Sequence, residues 1–117
     1  MPYVVRQEVE KIGAVVSVQG DADAGAATEL LRVITGLDES TVVVDLSEAT
    51  LIDSRTMAVL VDRTEYLRAA AGDLIVVCAD RNILRLFRRI GLDSELTIVD
   101  SRAVAKEAVR HSERHRP

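Results

Sequence analysis

Histidine is missing from the body of this 117-residue chain, because both copies, His111 and His115, fall near its end. A Ser-His-Asp or Cys-His constellation would have to draw its base from that polar stretch. Cysteine occurs once, as Cys78. That excludes an internal disulfide and, with only two histidines, leaves too few ligands for a Cys/His zinc cluster. There are two lysines, Lys11 and Lys106, and neither Gly-x-x-x-x-Gly-Lys-Ser/Thr nor Gly-x-Gly-x-x-Gly occurs, so the P-loop and dinucleotide fingerprints are absent. No apolar run approaches the ~18 residues of a membrane span. The opening Met-Pro-Tyr-Val-Val-Arg-Gln is too short and too polar for a signal peptide. These absences point away from a conventional enzyme and toward a soluble, cytoplasmic protein with no membrane association. No cofactor and no metal is expected.

What is present suits one packed domain. Apolar residues make up 48% of the chain and charged residues 29%, a balance that supports a core and argues against disorder. Formal net charge is −4. The segment Arg110 to Pro117 is basic and everything before it is acidic, a poor match to a phosphate backbone, so direct nucleic-acid binding is not expected.

Periodicity gives the element order. Val4 to Glu10 and Ala14 to Val18 read as strands joined by a turn at Lys11-Ile12-Gly13. Gly20-Asp21-Ala22-Asp23 ends the second strand, with Asp23 as N-cap of a helix whose apolar face is Ala27, Leu30, Leu31, Ile34 and Leu37. Thr41 to Asp45 is short, β-branched and almost wholly apolar, the pattern of a strand covered on both faces. A short apolar group, Ala49 to Ile52, leads into Asp53-Ser54. A second helix follows, with Met57, Leu60, Val61, Thr64 and Leu67 inward, ending before Gly72.

Leu74 to Ala79 is the next buried strand. Ile83, Leu86, Phe87 and Ile90 then recur at helical spacing up to a terminating Gly91. Leu96 to Val99 is the last strand, and Ser101 caps a final helix bearing Val104, Ala105, Ala108 and Val109. The order is β-β-α-β-α-β-α-β-α, an α/β fold with a mostly parallel, mixed sheet and packed helices. The expected core includes Val43, Leu60, Val76, Leu86, Phe87 and Ile98. One domain is expected over residues 4–110, with a disordered tail over 111–117.

Three segments together resemble the STAS family, the bacterial anti-sigma factor antagonists. They are Gly20-Asp21-Ala22-Asp23 with Ala27 and Leu30; Val-Val-Val-Asp-Leu-Ser47 followed by Leu51-Ile52-Asp53-Ser54; and Leu74 to Ala79 with Leu84, Leu86-Phe87 and Ile90-Gly91-Leu92. The resemblance implies a non-catalytic partner switch. When unphosphorylated, such an antagonist binds an anti-sigma factor that is also a serine kinase; phosphorylation ends the complex and a serine phosphatase restores it. By motif position the modified residue is Ser54, and the partner surface is Asp21, Asp23, Asp53, Ser54, Arg55 and Thr56. The family usually continues Asp-Ser-Ser-Gly-Leu-Gly, whereas this chain reads Asp53-Ser54-Arg55-Thr56-Met57-Ala58. The alternative within the same fold is a structural STAS subunit of a lipid or anion transport complex.

Other readings of the same residues stand beside this one. Ser54 sits where a serine commonly caps a helix. Asp21, Asp23, Asp45 and Asp53 all fall near strand-to-helix loops, where carboxylates either cap turns or gather around Mg²⁺ as in a receiver domain. Arg81, Arg85 and Arg88, with Arg89 beside them, form a basic stripe that reads as a solvated helix face or an acidic docking site. Cys78, inside an apolar strand, reads as a small core residue.

Overall fold

The computed structural model describes residues 2–10 and 13–114. Its strands are β1 (Val4–Glu10), β2 (Gly13–Ala22), β3 (Thr41–Asp45), β4 (Ala49–Ile52), β5 (Asp73–Val77) and β6 (Thr97–Val99). Its helices are α1 (Ala24–Thr35), α2 (Ser54–Ala69), α3 (Arg81–Arg89) and α4 (Arg102–Arg114), with one 3₁₀ turn at Leu92–Ser94. Lys11 and Ile12, two of the three residues of the expected hairpin turn, lie outside the described residues.

The sheet runs β1-β2-β3-β5-β6, with β1 antiparallel to β2 and every other pairing parallel. Strand parity explains why its central strands are apolar throughout. Val16, Val18, Val42, Val44, Leu74 and Val76 point to one face, under α1, α2 and α3. Val15, Val43, Ile75 and Val77 point to the other, where Ala105 and Val109 of α4 cover them. Phe87 and Leu60 are fully buried on the first face. Of the expected core, Val43 and Val76 are buried too, while Leu86 and Ile98 are only partly covered.

Three differences from the sequence reading concern the site. First, Ala49 to Ile52 is a strand, so the sheet has six strands rather than five. The cause lies in β2, which continues to Ala22 instead of stopping near Val18. Gly20 permits this: its φ of +82° sits at the register shift where β4 begins to pair, and a Cβ there would lie 2.1 Å from the Pro2 carbonyl oxygen. Second, α3 ends at Arg89, so Ile90 leaves the inner face and is 51% exposed. Third, α4 runs through Arg114, four residues into the stretch expected to be disordered; residues 115–117 lie outside the described residues.

Candidate functional site

Because β2 through β6 are parallel, their carboxyl ends share one pole, and all four helices begin there. Aspartates cap three of them. Asp23 Oδ1 accepts from Ala26 N at 3.1 Å, Asp53 Oδ1 from Arg55 N at 3.1 Å and Thr56 N at 3.0 Å, and Asp80 Oδ1 from Asn82 N at 2.9 Å and Ile83 N at 3.1 Å. For α4, the Ser101 hydroxyl accepts from Val104 N at 3.2 Å. Each side chain satisfies donors that the first helical turn leaves open.

Asp53, not Ser54, is therefore the cap of α2. Ser54 is the first helical residue, exposed, and its hydroxyl makes no hydrogen bond among the described residues. Either residue type caps a helix well, so sequence alone leaves a one-residue ambiguity that the geometry resolves.

Thr56 was expected on the partner surface, and its position is the main correction. It is 0% exposed. Its hydroxyl donates to the carbonyl of Ala22 at 2.9 Å, and the Asp23 carbonyl lies 3.4 Å away. The Asp53 N–H also donates to the Ala22 carbonyl, at 3.0 Å. Where the family usually places glycine, this chain stitches the start of α2 to the end of β2 and the start of α1. Arg55 remains exposed beside Ser54.

Asp21 lies on the same pole and accepts from the Thr50 hydroxyl at 2.6 Å. Asp45 does not join this group. Its odd position on β3 sends its side chain to the α4 face, where Arg102 Nε donates to it at 2.6 Å and the Ser47 backbone N–H at 2.8 Å. Burial alone would raise the Asp45 pKa. Hydrogen bonds from the Ser47 hydroxyl, Arg102 and the Ser47 amide outweigh burial and hold it below the ordinary carboxylate value. Arg102 also reaches Glu8 at 3.1 Å, and together these groups line a polar cleft of about 340 Å³. Among the described residues no three His, Cys, Asp or Glu side chains are grouped to hold a metal ion.

Beside Ser54 a groove of about 400 Å³ opens between α2 and the end of α3. Met57, Val61, Ile90 and Leu92 supply its apolar lining, with Asp62 and Glu65 along one side. Sequence reasoning missed this feature because Met57, Val61 and Ile90 all read as inward-facing core. The available signal was Gly91, whose left-handed φ of +79° stops α3 and turns the chain outward.

Cys78 is buried, and burial pushes its thiol pKa up. No helix among the described residues is long and apolar enough to cross a membrane.

The fold has close counterparts among solved structures. It is similar to an anti-sigma factor antagonist from Mycobacterium paratuberculosis, at 25% identity and a TM-score of 0.84, covering 93% of this chain and 95% of that one. It is also similar to the anti-sigma factor antagonist SpoIIAA in its unphosphorylated form, at 19% identity and a TM-score of 0.72, covering 92% and 98%. The phosphorylated form of SpoIIAA, described as a Bacillus cell fate determinant, gives 18% identity and a TM-score of 0.69, covering 90% and 99%. No curated protein matches the chain. The sequence profile of the STAS domain matches residues 3–105, which span all six strands, α1 to α3 and the start of α4, and the chain belongs to the STAS domain family.

Proposed function

We propose that this protein is an anti-sigma factor antagonist that works by partner switching from the pole around Ser54. With a free hydroxyl at Ser54 it binds an anti-sigma factor that is also a serine kinase; phosphoserine ends the complex, and a serine phosphatase regenerates the binding form. The protein itself is a non-catalytic regulatory module of the bacterial cytoplasm. Asp21, Asp23, Asp53 and Arg55 surround Ser54 in this reading, while Thr56 acts from inside.

One observation carries it: Ser54 is exposed, unengaged and next to an apolar groove, while Asp53 does the capping. The similarity to an antagonist solved in unphosphorylated and phosphorylated forms supports the same reading. The cap also decides what a phosphate would do. Phosphoserine brings about −1.5 to −2 charges. Asp53 already holds the Arg55 and Thr56 amides, so a phosphate on Ser54 would not take those donors and would stay outside the helix end. The α2 dipole offsets only ~0.3–1 kcal/mol of the added charge. A dianion left unpaired in a closed interface costs several kcal/mol, and each ~1.4 kcal/mol is a tenfold loss of affinity.

The test is titration of the isolated kinase partner against wild type, Ser54→Ala and Ser54→Asp. Ser54→Ala should bind like wild type and resist phosphorylation. Ser54→Asp should bind about a hundredfold more weakly with an unchanged melting temperature. Equal affinities for all three, phosphate arriving elsewhere, or copurification with a permease or transport ATPase instead of a kinase would overturn the proposal.

A further inference from the structure

Helix α3 carries a stripe of arginines on its outer side. Arg81, Arg85, Arg88 and Arg89 are all exposed, and at 3.6 residues per turn they fall within about 100° of arc. The buried residues of the same helix, Ile83 and Phe87, lie on the opposite side. Arg81, Arg85 and Arg88 flank a shallow cavity of about 260 Å³ whose fourth lining residue is Leu84.

The charge arrangement is costly to the fold. Arg81 with Arg85, Arg85 with Arg88, and Arg85 with Arg89 stand at i, i+3 or i, i+4 spacing, where like charges oppose helix formation. Arg81 also lies in the first turn, the end of a helix that disfavours a cation, while Arg88 and Arg89 stand in the last turn, which favours one, so the like-charge spacing carries the cost. Five arginines elsewhere are matched, Arg32 with Glu29, Arg63 with Asp62, Arg68 with Asp73, Arg102 with Asp45, and Arg110 with Glu107, whereas Arg6 and Arg55 stand singly without a carboxylate partner among the described residues. None of the four on α3 has a carboxylate partner among the described residues. Asp80, the nearest acid in sequence, turns Oδ1 to the Asn82 and Ile83 amides and forms no ion pair with any of the four.

From this juxtaposition we infer that the α3 arginines dock an acidic segment of a protein partner, with carboxylates repeating every three to four residues to meet the stripe. A guanidinium fork pairs with a carboxylate through two parallel N–H donors, which rewards such matching beyond bare charge. The stripe is about 10 Å long at a helical rise of 1.5 Å per residue, and it is an island on a chain of net charge −4. Asp80, Asp93 and Glu95 are exposed close by in sequence and the chain as a whole is acidic, so an extended polyanion such as a nucleic acid or an anionic bilayer that overran the stripe would meet net repulsion. The cavity between these arginines shares no lining residue with the groove beside Ser54, and the inference does not depend on the switch proposed there.

The experiment uses the full chain and three probes: a capped helical peptide with glutamates along one face, duplex DNA, and phosphatidylcholine vesicles doped with phosphatidylglycerol. The facially acidic peptide should shift the amide resonances of residues 81–89, bind more weakly as salt rises, and bind better than a scrambled peptide of identical composition. Arg81→Gln/Arg85→Gln/Arg88→Gln should lose affinity about tenfold or more. It should melt no lower than wild type, because it removes like-charge pairs. Ser54→Asp should bind the peptide as wild type does, so this result and the switch are judged apart. Equal binding of scrambled and ordered peptides would overturn the inference. Tighter binding of DNA or vesicles, resonance shifts away from α3, or a lower melting temperature in the triple variant would overturn it as well.

Discussion

Replacing Thr56 by glycine, the residue the family usually carries there, should destabilise this protein substantially although no surface contact is lost. Three losses contribute. The hydroxyl's bond to the Ala22 carbonyl is worth about 1 kcal/mol net, since that carbonyl keeps its second donor, the Asp53 amide. The buried methyl and Cβ contribute about 1.6 kcal/mol of burial, and glycine costs about 0.3 kcal/mol more than threonine in a helix. The total is roughly 3 kcal/mol, a large share of the ~5–15 kcal/mol that holds a small domain. For a domain of this length each kcal/mol moves the melting temperature by about 4 °C, so the drop should be about 12 °C. Thr56→Val keeps the volume and loses only the hydrogen bond, and should fall by about 4 °C. Thermal unfolding followed by circular dichroism reads both. If Thr56→Gly melts within about 2 °C of wild type, the stitch between α1 and α2 does not hold the pole together and the reasoning fails. Since Thr56 is internal, Thr56→Val should leave the affinity for the proposed kinase partner unchanged.

Two further outcomes test the core and the polar cleft. Phe87→Ala, which empties a fully buried aromatic site, should cost about 3–5 kcal/mol in denaturant unfolding, and a loss below about 1 kcal/mol would contradict its place under the sheet. The Asp45 carboxyl titrates below its ordinary value of 3.8, so the unfolded chain binds its proton first as pH falls. Its contribution is complete above about pH 5 and is lost through the range below 3.8. Asp45→Asn should accordingly lose about 1–2 kcal/mol at neutral pH, less than a fully buried pair because Arg102 is partly exposed. It should also show a flatter stability profile between about pH 5 and pH 3, and identical profiles for variant and wild type would remove Asp45 as the cause.

Local patterns in the sequence carried most of the architecture. Thr41 to Asp45 announces a doubly covered strand because its first four residues are all β-branched and three of them apolar, and Asp23 and Ser101 announce helix starts through bonds made three residues away. What escaped depends on distant partners. Strand β4 forms only because Gly20 lets β2 continue, and Asp45, sent to the α4 face by its parity on β3, is held there by an arginine 57 residues downstream. Thr56 looked like a surface residue because its acceptors, the Ala22 and Asp23 carbonyls, are more than thirty residues earlier. Ile90 matched the helical period but falls one residue past the end of α3. Periodicity records which face a residue would take, not where the helix stops.

Strand β2 has a consequence for how the domain opens. Along one edge it pairs with all of β1; along the other, Ala14 to Ser17 hold β3 and Gly20 to Ala22 hold β4. This strand is therefore released only if its ladders with all three neighbours are broken. Its amide protons should exchange with solvent at the rate of global unfolding, whereas those of the three-residue edge strand β6 should exchange through local fraying. Strand β4, attached to the sheet by three residues of β2, should open at an intermediate free energy. The residues leading into Ser54 and the seam of the sheet thus belong to different cooperative units, although they are neighbours along the same strand edge.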